Sequence, residues 1–318
     1  MSTSHVTVFE IASEQNFFPE GYLLANADIR SAYGDSNSGA ANHFRQFGRH
    51  EARKQVTREF LVTIESPEFR KLRFERFKNY LADIPEKTSS CPIRYDRNLP
   101  AALTNESSHP TAAEFLRELT SNPNNTYADI GAGLRNVMFD NCIYVEIYPS
   151  LTTDVVILPH SKLPFKDSSL DGIGCYAVLE HVREPWKMAE EFARVLKPEA
   201  KLFVDWPFLQ PVHGYPSHYY NATPEGVRAM FARDFKIETL VTQAHEGPDF
   251  TLSWILNGML RAIQNPSLRS KVDRMTVAEL ASEDPQSPFW REVLASMSDD
   301  SIRTFSCGNT LIGTRKMK

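Results

Sequence analysis

From Thr111 onward the chain predicts an α/β fold built on a mostly parallel sheet, and three observations carry that expectation. Apolar runs recur without polar alternation: "YADIGAG" from Tyr127, "CIYVEIY" from Cys142, "DVVIL" from Asp154, "GIGCYAV" from Gly172 and "KLFVDWPF" from Lys201. Amphipathic stretches separate some of them. "TAAEFLREL" precedes the first, and "EPWKMAEEFARVLK" lies before the last, with Met188, Phe192, Val195 and Leu196 on one helical face. Continuous apolar strands alternating with helices belong in a parallel sheet covered on both faces. Thirdly, the first run ends in a glycine turn, Gly131 to Gly133.

The remaining elements follow in order. Residues 1–83 read as a helical N-terminal region. "PEGYLLANADIRSAY" and "GAANHFRQFGRHEARKQ" are short helix candidates punctuated by Gly34 and Gly48. The longer run to Asp83 should break at Ser66-Pro67, where serine caps and proline takes the first helical position. Within it, "RKLRFERFKNYL" (Arg70 to Leu81) alternates basic residues with Phe74, Phe77 and Leu81 at helical spacing, which predicts a helix packed on its own protein. Residues 84–110, rich in proline, serine and asparagine, read as a connector. Residues 111–318 form the α/β domain, with a helical insert at about 251–300. The spacings from Gly133 to Glu146 and from Glu146 to Asp154 leave room for little or no helix, so helices should be trimmed on one side of the sheet. "FKIETLVTQ" from Phe235 and "RTFSCGNTLIGTRK" from Arg303 look like strands and predict an antiparallel far edge.

Composition excludes several functions. With 318 residues, 42% hydrophobic and 24% charged, the chain can bury a large core or two modest ones. A net charge of -5 gives no general attraction for nucleic acid, and no run of apolar residues is long enough to span a membrane. Four cysteines, Cys91, Cys142, Cys175 and Cys307, are scattered without a C-x-x-C pair, which predicts neither a zinc knuckle nor a disulfide framework and fits a reducing cytoplasm.

The candidate chemistry gathers at strand ends. In "ADIGAG", Asp129, Gly131, Ala132 and Gly133 close the first strand, where glycines let backbone N-H groups approach an anionic or polar ligand. A dinucleotide site needs a third glycine, and Asn136 stands there instead, which disfavours NAD. Glu146 ends the second strand, where a carboxylate can accept both hydroxyls of a ribose. Further on, "KLPFKDSSLDGIGCYAVLEHVREPW" runs through an apolar turn, a polar hairpin and a strand that stops at Glu180-His181.

Together these residues resemble the class I S-adenosylmethionine-dependent methyltransferases, which have a Rossmann-like sheet. The ordered pieces are Asp129-Ile-Gly131-Ala-Gly133, Glu146, Leu163-Pro-Phe165-Lys-Asp167-Ser-Ser-Leu-Asp171, Leu179-Glu-His-Val182 and Arg194-Val-Leu-Lys-Pro198. The resemblance implies S-adenosyl-L-methionine as cofactor, held by Asp129, Gly131, Ala132, Gly133, Glu146, Leu163 and Tyr176. The acidic residue that usually precedes L-P-F is absent, so adenine contact falls to backbone, His160 or Ser161. His181 is expected to line the acceptor side or to hold the strand-to-helix turn. "RVLKPEAKL" has Glu199-Ala200 where the family carries two glycines, a change in a turn.

Beyond the last strand, "DWPFLQPVHGYPSHYYNATPEG" resembles methyltransferases encoded with glycan assembly enzymes. The N-terminal pattern Tyr22, Leu23, Asn26, Asp28, Ile29, then His43, Phe44, Phe47, Gly48, Glu51, Ala52 and Arg53, is similar to a helical module of bacterial surface-glycan proteins. The resemblance implies a sugar hydroxyl as acceptor, contacted by Trp206, Tyr215, Tyr219 and Tyr220. His213 or His218 would serve as general base, since a neutral imidazole can take the hydroxyl proton. Structural loop histidines are the competing reading, and Asp205, His213 and His218 lack a diagnostic metal-ligand spacing. The helical insert presents Trp254, Ile255, Met259, Leu260 and Ile263 along one side, a core or homo-oligomer face rather than a lid. Two alternatives remain: a methyltransferase-like scaffold without turnover, and a methyltransferase acting on a small non-sugar metabolite.

Overall fold

The computed structural model describes residues 5–82, 93–94, 109–160, 162–214, 217–308, 310 and 314. They divide into two compact units, one of Met1–Trp206 with Met230–Lys236 and the other of Pro207–Ala229 with Ile237–Lys318. This division falls after Trp206. Most of the connector expected at residues 84–110 lies outside the described residues.

The first unit opens with β1 (His5–Thr7) and β2 (Phe9–Ile11), then α1 (Pro19–Ala25), α2 (Ala27–Tyr33) and α3 (Asn37–His43), which runs into a π-helical turn, Phe44–Gly48. β3 (Lys54–Val56) pairs antiparallel with β2. α4 (Arg58–Glu65) and α5 (Pro67–Phe77) are separated where the sequence placed the break. Ser66 accepts from Phe69 N at the start of α5, with Pro67 in the first turn. The N-terminal pattern is a packing device. Tyr22 hydroxyl meets His43 Nδ1 at 3.0 Å, Asn26 Nδ2 donates to Tyr22 O and Lys54 O, and Arg53 pairs with Asp28 at 2.7 Å. A Cβ on Gly48 would lie 2.0 Å from the Tyr22 hydroxyl, so that position has room only for glycine.

The main sheet has six parallel strands in the order β10-β9-β5-β7-β8-β4. They are β4 (Ile93–Arg94), β5 (Tyr127–Ile130), β7 (Cys142–Glu146), β8 (Val155–Val156), β9 (Leu170–Tyr176) and β10 (Leu196–Asp205), with α6 (Ala113–Ser121) before β5 and α7 (Pro185–Val195) crossing from β9 to β10. The trimmed crossovers are as expected. Residues between β5 and β7 hold only β6 (Val137–Phe139), which pairs with β1, and no helix joins β7 to β8.

The N-terminal region fills the place those helices vacate. Val8, Val56, Phe60 and Leu61 share one buried cluster with Phe115, Tyr127, Met138, Phe139, Cys142, Tyr144 and Tyr176. On α5, the "RKLRFERFKNYL" segment does pack on its own protein, through Phe77 and, unexpectedly, through a buried Arg73. The Arg73 guanidinium donates to both Asp154 carboxylate oxygens, at 2.7 and 2.5 Å, and to the carbonyls of Phe139 and Cys142. Charged groups so buried persist only when every donor is used.

The antiparallel far edge does not form among the described residues. No strand follows β10. Residues 237–243 run without regular pairing, and Ser298 caps α13 (Asp299–Phe305), so the first part of the expected last strand is helical. Its continuation, residues 309, 311–313 and 315–318, lies outside the described residues. α8 (Pro224–Phe231) spans the division between the units. The second unit carries α9 (Pro248–Ala262), α10 (Pro266–Asp273), α11 (Val277–Ser282), α12 (Pro288–Ala295) and α13 around Ile263, Val272, Val293 and Met297. Gly258 lets α9 and α13 touch, since a Cβ there would meet Phe305 at 2.4 Å. No helix among the described residues is long and apolar enough to cross a membrane.

Candidate active site

In an open parallel sheet, ligands sit outside the carboxyl ends of the strands, where the strand order reverses. Here that point lies between β5 and β9, because the chain leaves β5 towards β7 on one side and returns to β9 on the other. Both exits bend through left-handed backbone. Gly131 and Gly133 have φ of +69° and +57°, and Ala177, just past β9, has φ of +52°. The two turns touch: a Cβ on Gly131 would lie 2.2 Å from a Val178 methyl.

The glycine turn's donors are engaged within the chain. Gly131 N and Ala132 N donate to Val145 O, and Gly133 N donates to Glu146 Oε2 at 2.9 Å. Glu146 Oε1 accepts from Ile147 N at 2.7 Å. Burial pushes the Glu146 carboxyl up to about 7, against the pull of those two N-H groups. Asp129 is taken up by Arg135, whose guanidinium grips it through two bonds of 2.6 and 2.7 Å. Both side chains are buried. Burial raises the Asp129 carboxyl, and Arg135 acts in the opposite sense. Arg135 was not singled out in the sequence; the available signal was a lone arginine in the glycine turn, two positions past Gly133.

The β9 exit carries groups left without partners. Tyr176 is 2% exposed and its hydroxyl has no hydrogen-bond partner among the described residues. Glu180 is completely buried, and neither carboxylate oxygen has a hydrogen-bond partner among those residues. A single 3-10 turn, Leu179–His181, turns Glu180 inward and leaves His181 partly exposed, with His181 Nε2 3.7 Å from Glu180 Oε1. Burial drives Glu180 up to about 8, and the negative charge of Asp205 adds to it. Burial also lifts the Tyr176 phenol far above its ordinary range. Buried polar atoms without partners are rare and mark places where a ligand can complete the bonding.

The other expected contacts are distributed as follows. His160 is exposed, with φ of +62°, and its Nδ1 accepts from Arg183 N at 3.2 Å; burial and then Arg183 lower its imidazole. Leu163 is buried and its N-H donates to Glu191. Trp206 is buried at the end of the first unit. Ser161 and Tyr215 lie outside the described residues. His213, His218, Tyr219 and Tyr220 belong to the second unit. There His213 Nδ1 and His218 Nδ1 are 3.1 Å apart, His218 Nε2 is 2.8 Å from Asn221 Oδ1, and the Trp254 ring lies 5.2 Å from that of His213.

This geometry was compared with known proteins. Residues 134–204 match a family described as a methyltransferase domain, a segment that starts beside the glycine turn and ends in β10. No curated protein matches the chain at a significant level. Among solved structures, a chain of the complex formed by the Haloferax volcanii Trm112 methyltransferase activator shares 15% identity, with 41% of this chain and 78% of that one covered and a TM-score of 0.25. The Haemonchus contortus phosphoethanolamine N-methyltransferase 2 bound to S-adenosyl-L-methionine shares 14%, with 76% and 57% covered and a TM-score of 0.29. The chain spans less than two thirds of that enzyme's length. Superposition at these scores is slight, and neither fold nor activity is taken from it. Residues 134–204 thus carry a methyltransferase domain, on a sheet in which β5 and β7 end in Asp129-x-Gly131-x-Gly133 and Glu146, which supports S-adenosylmethionine as the cofactor.

Proposed function

We propose that the chain transfers the methyl group of S-adenosylmethionine to a sugar hydroxyl of a glycan or its precursor. The cofactor supplies an activated sulfonium methyl, so the protein's task is largely to hold donor and acceptor in line. Fit to the cofactor is supported by the acidic end of β7 and by the unpartnered Tyr176 hydroxyl at the neighbouring strand exit. Glu146 would accept the ribose hydroxyls, and the Gly131–Gly133 turn would give them room. Asp129 would act through Arg135, because its oxygens are already occupied.

One observation carries the sugar reading. His213, His218, Asn221 and Trp254 combine aromatic faces with directional hydrogen-bonding groups in the second unit, the mixture that sugar recognition uses. His213 or His218 would take the hydroxyl proton. A panel of nucleotide sugars, read as S-adenosylhomocysteine release, tests the proposal. His213→Ala or His218→Ala should cut turnover about 10²-fold to 10⁴-fold with cofactor affinity retained. Full turnover in both variants would make the pair structural. The internally satisfied amides of the glycine turn favour the second reading, a scaffold that does not turn over. Calorimetry separates the two: a wild-type chain that ignores millimolar S-adenosylhomocysteine is no enzyme of this class.

A further inference from the structure

The glycine turn lacks the support that usually stands behind such a turn. In an open α/β sheet it runs into a helix, whose first turn fixes the backbone and whose N-terminus favours negative charge. Here residues 134–136 lead from Gly133 into β6 without a helix. The left-handed backbone at Gly131 and Gly133 must be held by something else.

The loop that joins β7 to β8, residues 147–154, supplies it. Loops normally run over the surface, yet Ser150, Thr152, Thr153 and Asp154 are all buried. Gly133 O accepts from Ser150 Oγ at 3.0 Å and from Thr152 Oγ1 at 3.2 Å, which uses both of its lone pairs. Thr152 Oγ1 also accepts from Arg135 N at 3.3 Å, so one hydroxyl ties both ends of the Gly133–Arg135 segment. The Thr153 hydroxyl lies 2.8 Å from Ser150 Oγ and accepts from Ser150 N, and Thr152 N donates to Ser150 Oγ. With Gly133 N on Glu146, each peptide flanking Gly133 is bound to the end of β7 or to this loop. One residue past Arg135, Asn136 O accepts from Val8 N and Phe9 N.

We infer that Ser150 and Thr152 are positioning residues for cofactor binding, whose hydroxyls set the shape of the glycine turn in place of the missing helix. The inference rests on the S-adenosylmethionine reading. A turn already fixed loses little freedom when its ligand arrives, so the hydroxyls act on affinity without touching the ligand. They serve the methyl donor alone, and the choice of base for the acceptor is unaffected.

The test compares the full chain with Thr152→Val, Thr152→Ser and Leu23→Ala, by S-adenosylhomocysteine calorimetry and by amide hydrogen exchange without ligand. Valine keeps the shape of threonine and removes the hydroxyl, whereas serine keeps the hydroxyl. Leu23→Ala loosens a separate buried cluster and controls for a general loss of stability. Thr152→Val should weaken S-adenosylhomocysteine at least about fivefold, the scale of one or two net hydrogen bonds, while the other two variants stay within about twofold of wild type. Exchange at the Arg135 amide, relative to the amides of β9, should quicken in Thr152→Val and not in the other two. Unchanged affinity or unquickened exchange in Thr152→Val overturns the inference and leaves the cofactor reading standing. So does an equal loss of affinity in Leu23→Ala or in Thr152→Ser. A wild-type chain that ignores millimolar S-adenosylhomocysteine overturns the cofactor reading and the positioning role with it.

Discussion

Replacing Arg73 by methionine should cost this protein about 4 to 5 kcal/mol. The side chain makes two bonds to Asp154 and two to the carbonyls of Phe139 and Cys142, and both partners of the ion pair are about 5% exposed. Methionine fills much of the aliphatic volume, so little of the loss is cavity. What it leaves is a buried Asp154 whose remaining hydrogen bond is from Tyr144 N at 2.9 Å, and that is where the cost lies. Breaking a buried pair from one side typically costs about 3 to 5 kcal/mol, and two stranded carbonyls bring the total toward the upper end. Against a usual domain stability of about 5 to 15 kcal/mol, that is a large fraction. Urea unfolding followed by far-UV circular dichroism measures it as a fall in the midpoint at unchanged slope. Arg73→Met with Asp154→Leu should recover at least half of the loss, because the uncompensated charge is gone. A single variant that loses less than about 1 kcal/mol would refute the claim that α5 anchors the sheet. The same reasoning predicts that deleting residues 1–82 yields an unfolded chain rather than a free-standing methyltransferase core.

Three further outcomes are expected. Glu146→Gln should weaken S-adenosylhomocysteine by about 1.5 to 3 kcal/mol in calorimetry, the scale for hydrogen bonds to a charged group; unchanged affinity would place the ribose elsewhere. Glu180 has a folded value of about 8 against an ordinary 4.5, so the native state holds a proton that the unfolded chain releases. Its contribution to stability is full below about pH 4.5 and is lost as pH rises through about 8, on the order of 5 kcal/mol in all. In Glu180→Gln the urea midpoint should flatten across that window, and an unaltered pH profile would contradict the assignment. Gly131→Ala should destabilise by more than about 1 kcal/mol, since alanine resists φ of +69° and its Cβ meets Val178. Val178→Ala should restore part of that loss in thermal melts, and no restoration would locate the strain in the backbone alone.

The strands were legible because a doubly covered parallel sheet needs unbroken apolar runs: β5, β7 and β8 fall within one, and β9 and β10 end in one after starting two and five residues earlier. The Ser66-Pro67 break was legible for a local reason, a cap followed by a proline. β1, β2, β3 and β6 were not, since three residues are too few for a period and their pairing is set by distant chain. "RTFSC" looked like a strand, yet Ser298 and two acidic residues after it start a helix, a signal that deserved more weight than β-branched texture. Of the candidate site, the glycine turn and Glu146 sit at neighbouring strand ends, as their spacing implied. Arg135 was hidden because its role depends on Asp129 being buried, which no local pattern encodes. The interdependence of N-terminal region and sheet was hidden too, since the Arg73 contacts join positions 81 apart in sequence.

That separation has a kinetic side. Closing a loop of about 81 residues costs roughly 4 kcal/mol in chain entropy before any contact forms, so the Arg73–Asp154 pair is a poor nucleus. The α6–β5–β7 neighbourhood can assemble first, while α5 docks late onto strands already in register. Arg73 would then have a φ-value near zero: its replacement would accelerate unfolding and leave the folding rate almost untouched. During synthesis, the first 82 residues emerge with one face of their helices uncovered, and they stay exposed until the strands that they complete have left the ribosome.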